Sequence, residues 1–314
     1  MRAFLLWILA GCLSVHGQGD VEWVTVGDAG NPPDKTGYGA VTYKFQIMKH
    51  EVTCGQYAAF LNAVAATDTH GLYIRAMDGT PMPKGQDDIR TEQGCLIRTG
   101  EKGSYHYAVV PGHERKPIVN VDFLKAMRFA NWMHHGGGKG DTETGAYDIA
   151  KLGAMATRTP VATVCLPNEN EWHKAAYYDP KHGGYWRFAT RSDDVPESAK
   201  PDAKRVNAAN FYWTKGHAVT QVIGEDRGVG IIYLTDVGSY PASPSYYGTL
   251  DQSGNAWEWT ESMIYETKRV IRGGGFASEA ITLRANTRSN ASPAKFYPDT
   301  GFRLVRAMPK GGRQ

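Results

Sequence analysis

Two carboxylates, one glycine and two tryptophans fall within nine residues in the segment DQSGNAWEW, at positions 251 to 259. Calcium binds six to eight oxygen atoms from carboxylates and backbone carbonyls, and a glycine lets the backbone turn its carbonyls toward the ion. Asp251 and Glu258 would supply charge, and the carbonyls of Gly254 and Ala256 would supply further oxygens. In the structural alternative, Asp251 closes a local turn and Glu258 pairs with an arginine. The composition of the segment alone favours this alternative.

Four further segments supply a context that reverses this preference. They are EVT at 51–53, LPNENEWHKAA at 166–176, RGGGF at 272–276 and GFR at 301–303. Each is weak evidence alone, but five segments in one order are specific. Together they resemble the formylglycine-generating enzyme family, also called the sulfatase-modifying factor family, whose usual forms are EVT, LPTEAEWEYAA, GNVWEW, RGGSF and GFR. The resemblance covers about residues 21 to 307.

The resemblance implies an α+β fold of the formylglycine-generating-enzyme type, a C-type-lectin-like arrangement with little regular secondary structure. It also implies a calcium ion in the loop at 251–258, bound by the four residues named for it above. A second calcium site of the family would begin with Asn210 and Phe211, and Asp226 is a further candidate there. We therefore expect one calcium ion and leave a second open.

The sequence departs from the family at its copper site. The resemblance implies an oxidase that uses molecular oxygen and copper to convert a sulfatase cysteine to formylglycine, with the copper held by a cysteine pair after RGGS. In this chain the two cysteine positions hold Ser278 and Leu283, the serine of RGGS is Gly275, and no cysteine follows Cys165. Copper(I) prefers soft thiolate ligands, which a hydroxyl and an isobutyl group do not replace. We therefore expect no bound copper and no catalytic residue at these positions.

The amino terminus predicts export. Arg2 precedes an apolar run over residues 3–15, and Gly17 closes a segment that fits a signal-peptide cleavage site. Lipid attachment at Cys12 is the alternative, but it would leave a short apolar region. We predict a signal peptide at 1–17, a single domain at 18–307 and a polar tail at 308–314, in a secreted or periplasmic bacterial protein.

The composition limits the classes of partner and the bonding of the cysteines. The net charge is +3 and no basic run alternates with aromatic residues, which argues against a nucleic-acid partner. After the leader, no stretch approaches the roughly 20 apolar residues that cross a membrane. Cys54, Cys95 and Cys165 would remain after cleavage, so one disulfide and one free thiol are expected outside the cytoplasm, with the pairing open.

Helix-start signals and short apolar runs predict the secondary structure. Helices should begin after Thr53, near Asp122 and after Asn168; the second should stop at Gly136 and the third at Asp179. The predicted strands are 41–47, 269–272 and 301–305. Segments 76–116 and 180–235 lack periodicity, and we predict long functional loops there.

Two functions of different classes follow. The first is a secreted, calcium-stabilised protein that keeps the family fold but acts in binding or an accessory role, with a peptide, protein or glycan as ligand and sulfatases among the candidate partners. Loops at 76–116 and 270–300 are the candidate ligand surfaces, by analogy with lectins. The second is a formylglycine-generating oxidase, or a related oxidase, that uses a different arrangement. The missing cysteine pair favours the first.

Overall fold

The computed structural model describes residues 21–79, 93–213, 216–218, 221–223 and 230–308. The predicted signal peptide, the candidate Asp226 and the tail beyond residue 308 lie outside these ranges. The α-helices in the described part are α1 (Cys54–Val64), α2 (Phe123–His134), α3 (Ile149–Leu152) and α4 (Glu169–Tyr177). Short 3-10 helices cover Arg75–Met77, Gly153–Met155 and Ala280–Leu283.

The strands are short and scattered along the chain. Those in the described residues are β1 (Trp23–Val26), β2 (Phe45–Met48), β3 (Leu96–Thr99), β4 (His106–Val109), β5 (Val164–Cys165), β6 (Tyr178–Asp179), β7 (Gly184–Tyr185), β8 (Glu197–Ser198), β9 (Ala208–Ala209), β10 (Tyr212–Trp213), β11 (Gly216–His217), β12 (Gln221–Ile223), β13 (Gly230–Ile232), β14 (Trp257–Ile264), β15 (Lys268–Arg272), β16 (Ser289–Ala291), β17 (Thr300–Gly301) and β18 (Val305–Ala307).

All three predicted helix starts are confirmed. Thr53 Oγ1 accepts a hydrogen bond from Gln56 N at 3.2 Å, and Gln56 Oε1 accepts one from Thr53 N at 3.0 Å, which completes a capping box. Asn168 and Glu171 make the same reciprocal pair at α4, and Asp122 caps α2. Helix α2 stops just before the predicted glycines, whereas α4 ends at Tyr177, two residues before the predicted stop, because the chain turns directly into β6.

Two four-stranded sheets organise the domain. The first has the order β1-β2-β18-β5 and the second the order β16-β15-β14-β17. Trp259 of β14 is fully buried and packs edge-on against Phe123 of α2, and its Nε1 donates to Val121 O at 2.9 Å. Phe302 leads the chain from the second sheet back to the first and packs edge-on against Phe129 of α2, with ring centroids 5.4 Å apart. The core therefore joins the carboxyl-terminal segment to α2.

The predicted strands are confirmed in part. The strand at 269–272 appears as β15 with one added residue, whereas the one at 41–47 is shortened to β2. The strand at 301–305 is wrong as one element, because its residues divide between β17 and β18 in different sheets. Between them the chain crosses over: Phe302 O accepts from Val52 N, Leu304 O accepts from Met48 N, and the Arg303 side chain turns inward.

The predicted loop at 76–116 contains a hairpin of β3 and β4 that periodicity did not indicate. Tertiary contacts fix it: Asn62 of α1 exchanges two hydrogen bonds with the backbone of the buried Tyr107, at 2.7 and 2.9 Å. Within 180–235 the described strands are two or three residues long. Packing against a helix, rather than an alternating pattern, determines the β3–β4 pairing.

The structure selects one cysteine pair from the alternatives left open by the sequence. Cys54, at the start of α1, is bonded to Cys95, which immediately precedes β3. Cys165 is free and buried in β5, where burial raises the pKa of its thiol. None of the helices in the described part of the chain has the length and apolar character needed to cross a bilayer.

Candidate functional site

The Glu258 carboxylate of β14 lies at the centre of a fully buried ion pair. Arg303 binds both of its oxygens, Nε to Oε2 and Nη2 to Oε1, each at 2.7 Å. Trp172 of α4 adds a third donor, Nε1 to Oε2 at 2.8 Å. All three side chains are inaccessible to solvent, so the charges depend on one another rather than on water. The arginine partner considered for Glu258 is therefore present.

Arg303 also joins separate stretches of backbone. Its Nη1 donates to Met48 O at 3.1 Å and to Lys49 O at 2.9 Å, and its Nη2 donates to Leu250 O at 2.8 Å. The guanidinium presents donors in a fixed planar fork, which a lysine cannot reproduce. The carboxyl-terminal GFR segment thus fixes the loop that carries Asp251 against the end of β2.

Two further acids face this pair. Asp251 is half-buried with a backbone φ of +63°, and its Oδ2 accepts from Gly238 N at 2.6 Å. Glu51 is fully buried; its Oε1 accepts from Asn255 Nδ2 at 3.2 Å, while its Oε2 has no hydrogen-bond partner among the described residues and lies 3.9 Å from Arg303 Nη2.

The charges of this cluster are unbalanced. Burial and the neighbouring charge of Asp251 raise the pKa of Glu51 well above its usual range. Burial also raises the pKa of Asp251 to about 6, although the hydrogen bond from Gly238 opposes the shift. Three carboxyl groups therefore surround the single guanidinium of Arg303. Sequence reasoning quoted Glu51 only as part of EVT and did not place it here.

The residues of the two predicted calcium sites lie side by side. Gly254 has φ of +103°, and a Cβ on it would come within 2.4 Å of Asn210 O, so only glycine fits. Asn255 N donates to the same carbonyl at 2.8 Å. Asn210 Nδ2 donates to Tyr233 O at 2.8 Å, whereas its buried Oδ1 has no partner in the described part of the chain.

Phe211 and Ala256 are core residues of this region. Phe211 is fully buried, and its carbonyl accepts from Ser198 Oγ at 2.7 Å. Ala256 is fully buried in a small apolar cluster with Val119 and Phe276. The side chains of both residues pack in the core. If these residues bind a metal ion, their backbone carbonyl oxygens are the ligands.

The donor set suits a hard cation, which prefers oxygen ligands. Glu51 and Asn210 each offer a buried oxygen without a partner, and Asp251 adds a carboxylate. No three Asp, Glu, His or Cys side chains of the described residues converge as a metal-binding group, so carbonyl and amide oxygens would have to contribute. Glu258 would share its carboxylate with Arg303, since both of its oxygens already accept hydrogen bonds.

The two positions that correspond to the family cysteines have structural roles. Ser278 Oγ accepts from Gly275 N at 2.9 Å and closes the turn after β15. Leu283 is fully buried with Phe188 and Phe211, and a Cβ on Gly274 would come within 2.8 Å of its Cδ1. These contacts close a turn and pack a core; neither side chain offers a thiolate.

A second ion network is centred on Glu169, the first residue of α4. Glu169 accepts from Arg272 Nε at 2.9 Å and from Arg288 Nε and Nη2 at 2.9 and 2.6 Å. Both guanidiniums lie against the ring of Tyr38, at 5.4 and 4.7 Å from its centroid. Buried carboxylates thus bind arginines in two groups, one on Glu258 and one on Glu169. Arg284 belongs to neither.

Next to the second network lies a cleft of about 700 Å³, here called the lateral cleft. Three segments form its walls: 32–36, 183–187 with Asp193, and 284–286. Sequence reasoning assigned loops to parts of these segments, but did not bring them together. The cleft is larger than the cavity of about 250 Å³ beside His50 and Arg115, and its size is typical of small-molecule sites.

Comparison with known proteins decides the family. The profile described as "Sulfatase-modifying factor enzyme 1-like domain" matches residues 6–308. The chain belongs to the sulfatase-modifying factor family. The crystal structure of CarF superposes with a TM-score of 0.52 at 22% identity, covering 92% of this chain and 99% of that one. The α+β, C-type-lectin-like fold expected of the family is thereby confirmed.

The sequence relatives of this sulfatase-modifying factor domain carry different names. Hercynine oxygenase of Mycolicibacterium smegmatis is 28% identical over 223 residues, which is 64% of this chain and 39% of that protein. Inactive C-alpha-formylglycine-generating enzyme 2 of Mus musculus is 28% identical over 148 residues, 45% of this chain and 42% of that protein. The chain therefore spans about two fifths of the length of these curated relatives.

Proposed function

We propose that this member of the sulfatase-modifying factor family is an exported, calcium-stabilised protein that acts by binding, in an accessory role, and lacks the copper oxidase chemistry. The observation that carries the proposal is the replacement of the cysteine pair by Ser278 and Leu283, with Leu283 packed into an apolar cluster. Thiolates both hold copper(I) and react with oxygen species, and neither replacement can ionise to one.

The test is an assay for formylglycine. The purified protein is incubated with a cysteine-containing sulfatase peptide, with and without added copper, and the peptide is analysed by mass spectrometry. We expect no conversion of the thiol to the aldehyde. Catalytic conversion by the wild-type protein would overturn the proposal in favour of the oxidase.

The oxidase remains the second candidate because a named oxygenase is among the relatives. That relative matches over less than half of its own length, so its reaction cannot be carried over by this similarity alone. Oxygen consumption with the sulfatase peptide, measured alongside the mass assay, tests for a related oxidase. If oxygen consumption depends on copper and Cys165→Ala leaves it unchanged, the result would favour an oxidase whose copper is held by residues other than cysteine.

Calcium is the proposed cofactor. Asp251, Glu258 and the carbonyls of Gly254 and Ala256 are the proposed ligands, supported by the excess of carboxyl groups over the single Arg303 guanidinium. When bound, the ion supplies charge compensation and holds the loop. Asn210 and Phe211 remain the proposed start of a second site.

Chelation should lower the melting temperature, because a ligand at a hundredfold excess over its Kd stabilises the native state by about 2.7 kcal/mol. Asp251→Ala should lose most of this response. The exposed Asp202→Ala is the matched control and should keep it. If Asp251→Ala responds to chelator like the wild type, the ion is bound elsewhere or not at all.

Export is proposed from the amino-terminal pattern. Cleavage after Gly17 would give a mature chain that begins at Gln18. Mass spectrometry of the native amino terminus tests this, and a chain that retains residues 1–17 or carries lipid on Cys12 would contradict it.

A further inference from the structure

The walls of the lateral cleft are held in place by hydrogen bonds between its segments. Tyr185 OH donates to Pro32 O at 2.8 Å and accepts from Asn31 Nδ2 at 2.7 Å. Ala285 N donates to Arg187 O at 2.9 Å, which joins the 183–187 wall to the 284–286 wall. The cleft is therefore preformed, as most small-molecule sites are.

Two arginines, Arg187 and Arg284, line this cleft. Neither guanidinium, of Arg187 or of Arg284, makes a hydrogen bond or ion pair with any described residue. Arg187 is exposed, whereas the Nε of Arg284 is buried and has no acceptor. By contrast, Arg272, Arg288 and Arg303 each bind a carboxylate. A buried donor without an acceptor is unfavourable, and a ligand acceptor would remove that cost.

The acids of the cleft are engaged elsewhere. Hydrogen bonds from His173 and Thr36 lower the pKa of Asp34, although burial acts in the opposite direction. The negative charge of Asp34 is therefore stabilised by these two neighbours rather than by the arginines of the cleft. Asp193 Oδ1 accepts from the backbone N of Arg187 at 2.9 Å rather than from its guanidinium. Three cations, Lys35 with the two arginines, line the cleft against these two acids.

We propose that the lateral cleft binds a small organic ligand through an oxyanion group, a carboxylate, sulfate or phosphate, held between Arg187 and Arg284. Guanidiniums bind such groups with paired hydrogen bonds, and this paired geometry is a selectivity that the point charge of a lysine lacks. Trp186, on the same wall, provides an aromatic surface beside the anion. The proposal deepens the binding role proposed above and rests on it for its biological meaning.

Titration calorimetry at low salt tests the proposal with four probes: inorganic sulfate, inorganic phosphate, glucuronate and neutral glucose. At least one anionic probe should bind and glucose should not, and the preferred anion identifies the oxyanion. Arg187→Gln and Arg284→Gln should each weaken binding about tenfold or more, as expected for the loss of a charged hydrogen bond. Arg75→Gln, an exposed arginine outside the cleft, is the matched control and should bind like wild type.

Because Arg284 is partly buried, the melting temperature of its variant is measured first; the exposed Arg187 provides the decisive variant if Arg284→Gln fails to fold. No binding of any anion, or binding that Arg187→Gln leaves unchanged, overturns the proposal. Its failure is distinct from that of the proposed function, since formylglycine formation would contradict the binding role without altering anion affinity.

Discussion

Replacement of Arg303 by methionine removes the guanidinium that holds Glu258 while keeping much of the side-chain volume. Glu258 would be left with Trp172 as its remaining donor in a fully buried site. Removing one partner of a buried ion pair costs about 3–5 kcal/mol. The carbonyls of Met48, Lys49 and Leu250 would also lose their donor, at about 1–3 kcal/mol for each that water cannot reach.

These terms together predict a loss of more than about 5 kcal/mol in the free energy of unfolding of Arg303→Met. With an unfolding entropy of about 2.1 cal/mol/K per residue, a domain of about 290 residues shifts by about 1.6 °C per kcal/mol, so the melting temperature should fall by more than about 8 °C. Adding Glu258→Gln should recover part of the loss, because the second change removes the stranded charge.

Thermal and urea unfolding, both with chelator present so that calcium does not contribute, measure the effect. The control is Arg306→Met, three residues later, where the partly exposed side chain contacts Gln46 and the ring of Trp23. Arg306→Met should lower the free energy of unfolding far less than Arg303→Met does. A melting temperature of Arg303→Met within about 2 °C of wild type would refute the energetic reasoning, as would a double variant less stable than Arg303→Met.

Two further changes test the scaffold around the site. The disulfide joins residues 41 apart in sequence, so the double variant Cys54→Ser with Cys95→Ser should lose about 4 kcal/mol of unfolding free energy, measured by denaturant unfolding. Reductant should destabilise wild type and Cys165→Ala but leave the stability of the double variant unchanged. Gly254→Ala combines a positive φ with a clash against a backbone carbonyl and should lower the unfolding free energy by more than about 3 kcal/mol. Gly112→Ala, at φ +83° in open space, should lower it by about 1–2 kcal/mol, and equal melting temperatures of the two variants would contradict this reasoning.

Local signals predict the starts of the three longer α-helices, whereas the short α3 is not predicted. The capping residues Thr53, Asp122 and Asn168 act within three residues of themselves, so the sequence contains the whole interaction. Strand limits and the β3–β4 hairpin were not predicted, because they depend on partners distant in the chain. The Asn62–Tyr107 exchange, for example, spans 45 residues and leaves no periodic pattern.

The site was predicted in the same uneven way. The pairing of Glu258 with an arginine could be inferred as an alternative, because a buried carboxylate needs a cation. The position of Glu51 beside it could not, since the two are far apart in sequence and only the folded chain brings them to Arg303. The lateral cleft was equally hidden, because its three walls come from segments that are separately irregular.

The position of β18 has a consequence for how this protein is made. Val305–Ala307, the last strand in the part of the chain that the structure describes, lies between β2 and β5 and is antiparallel to both. A nascent chain that ends between residues 165 and 302 carries the other three strands of that sheet but not the one that joins them, and it also lacks the Arg303 guanidinium that fixes residues 48–49 to residue 250. Strand edges left open in this way invite pairing with other chains. The ribosome must therefore release almost the entire domain before its first sheet can close, which leaves the nascent chain exposed to aggregation until residue 307 has emerged.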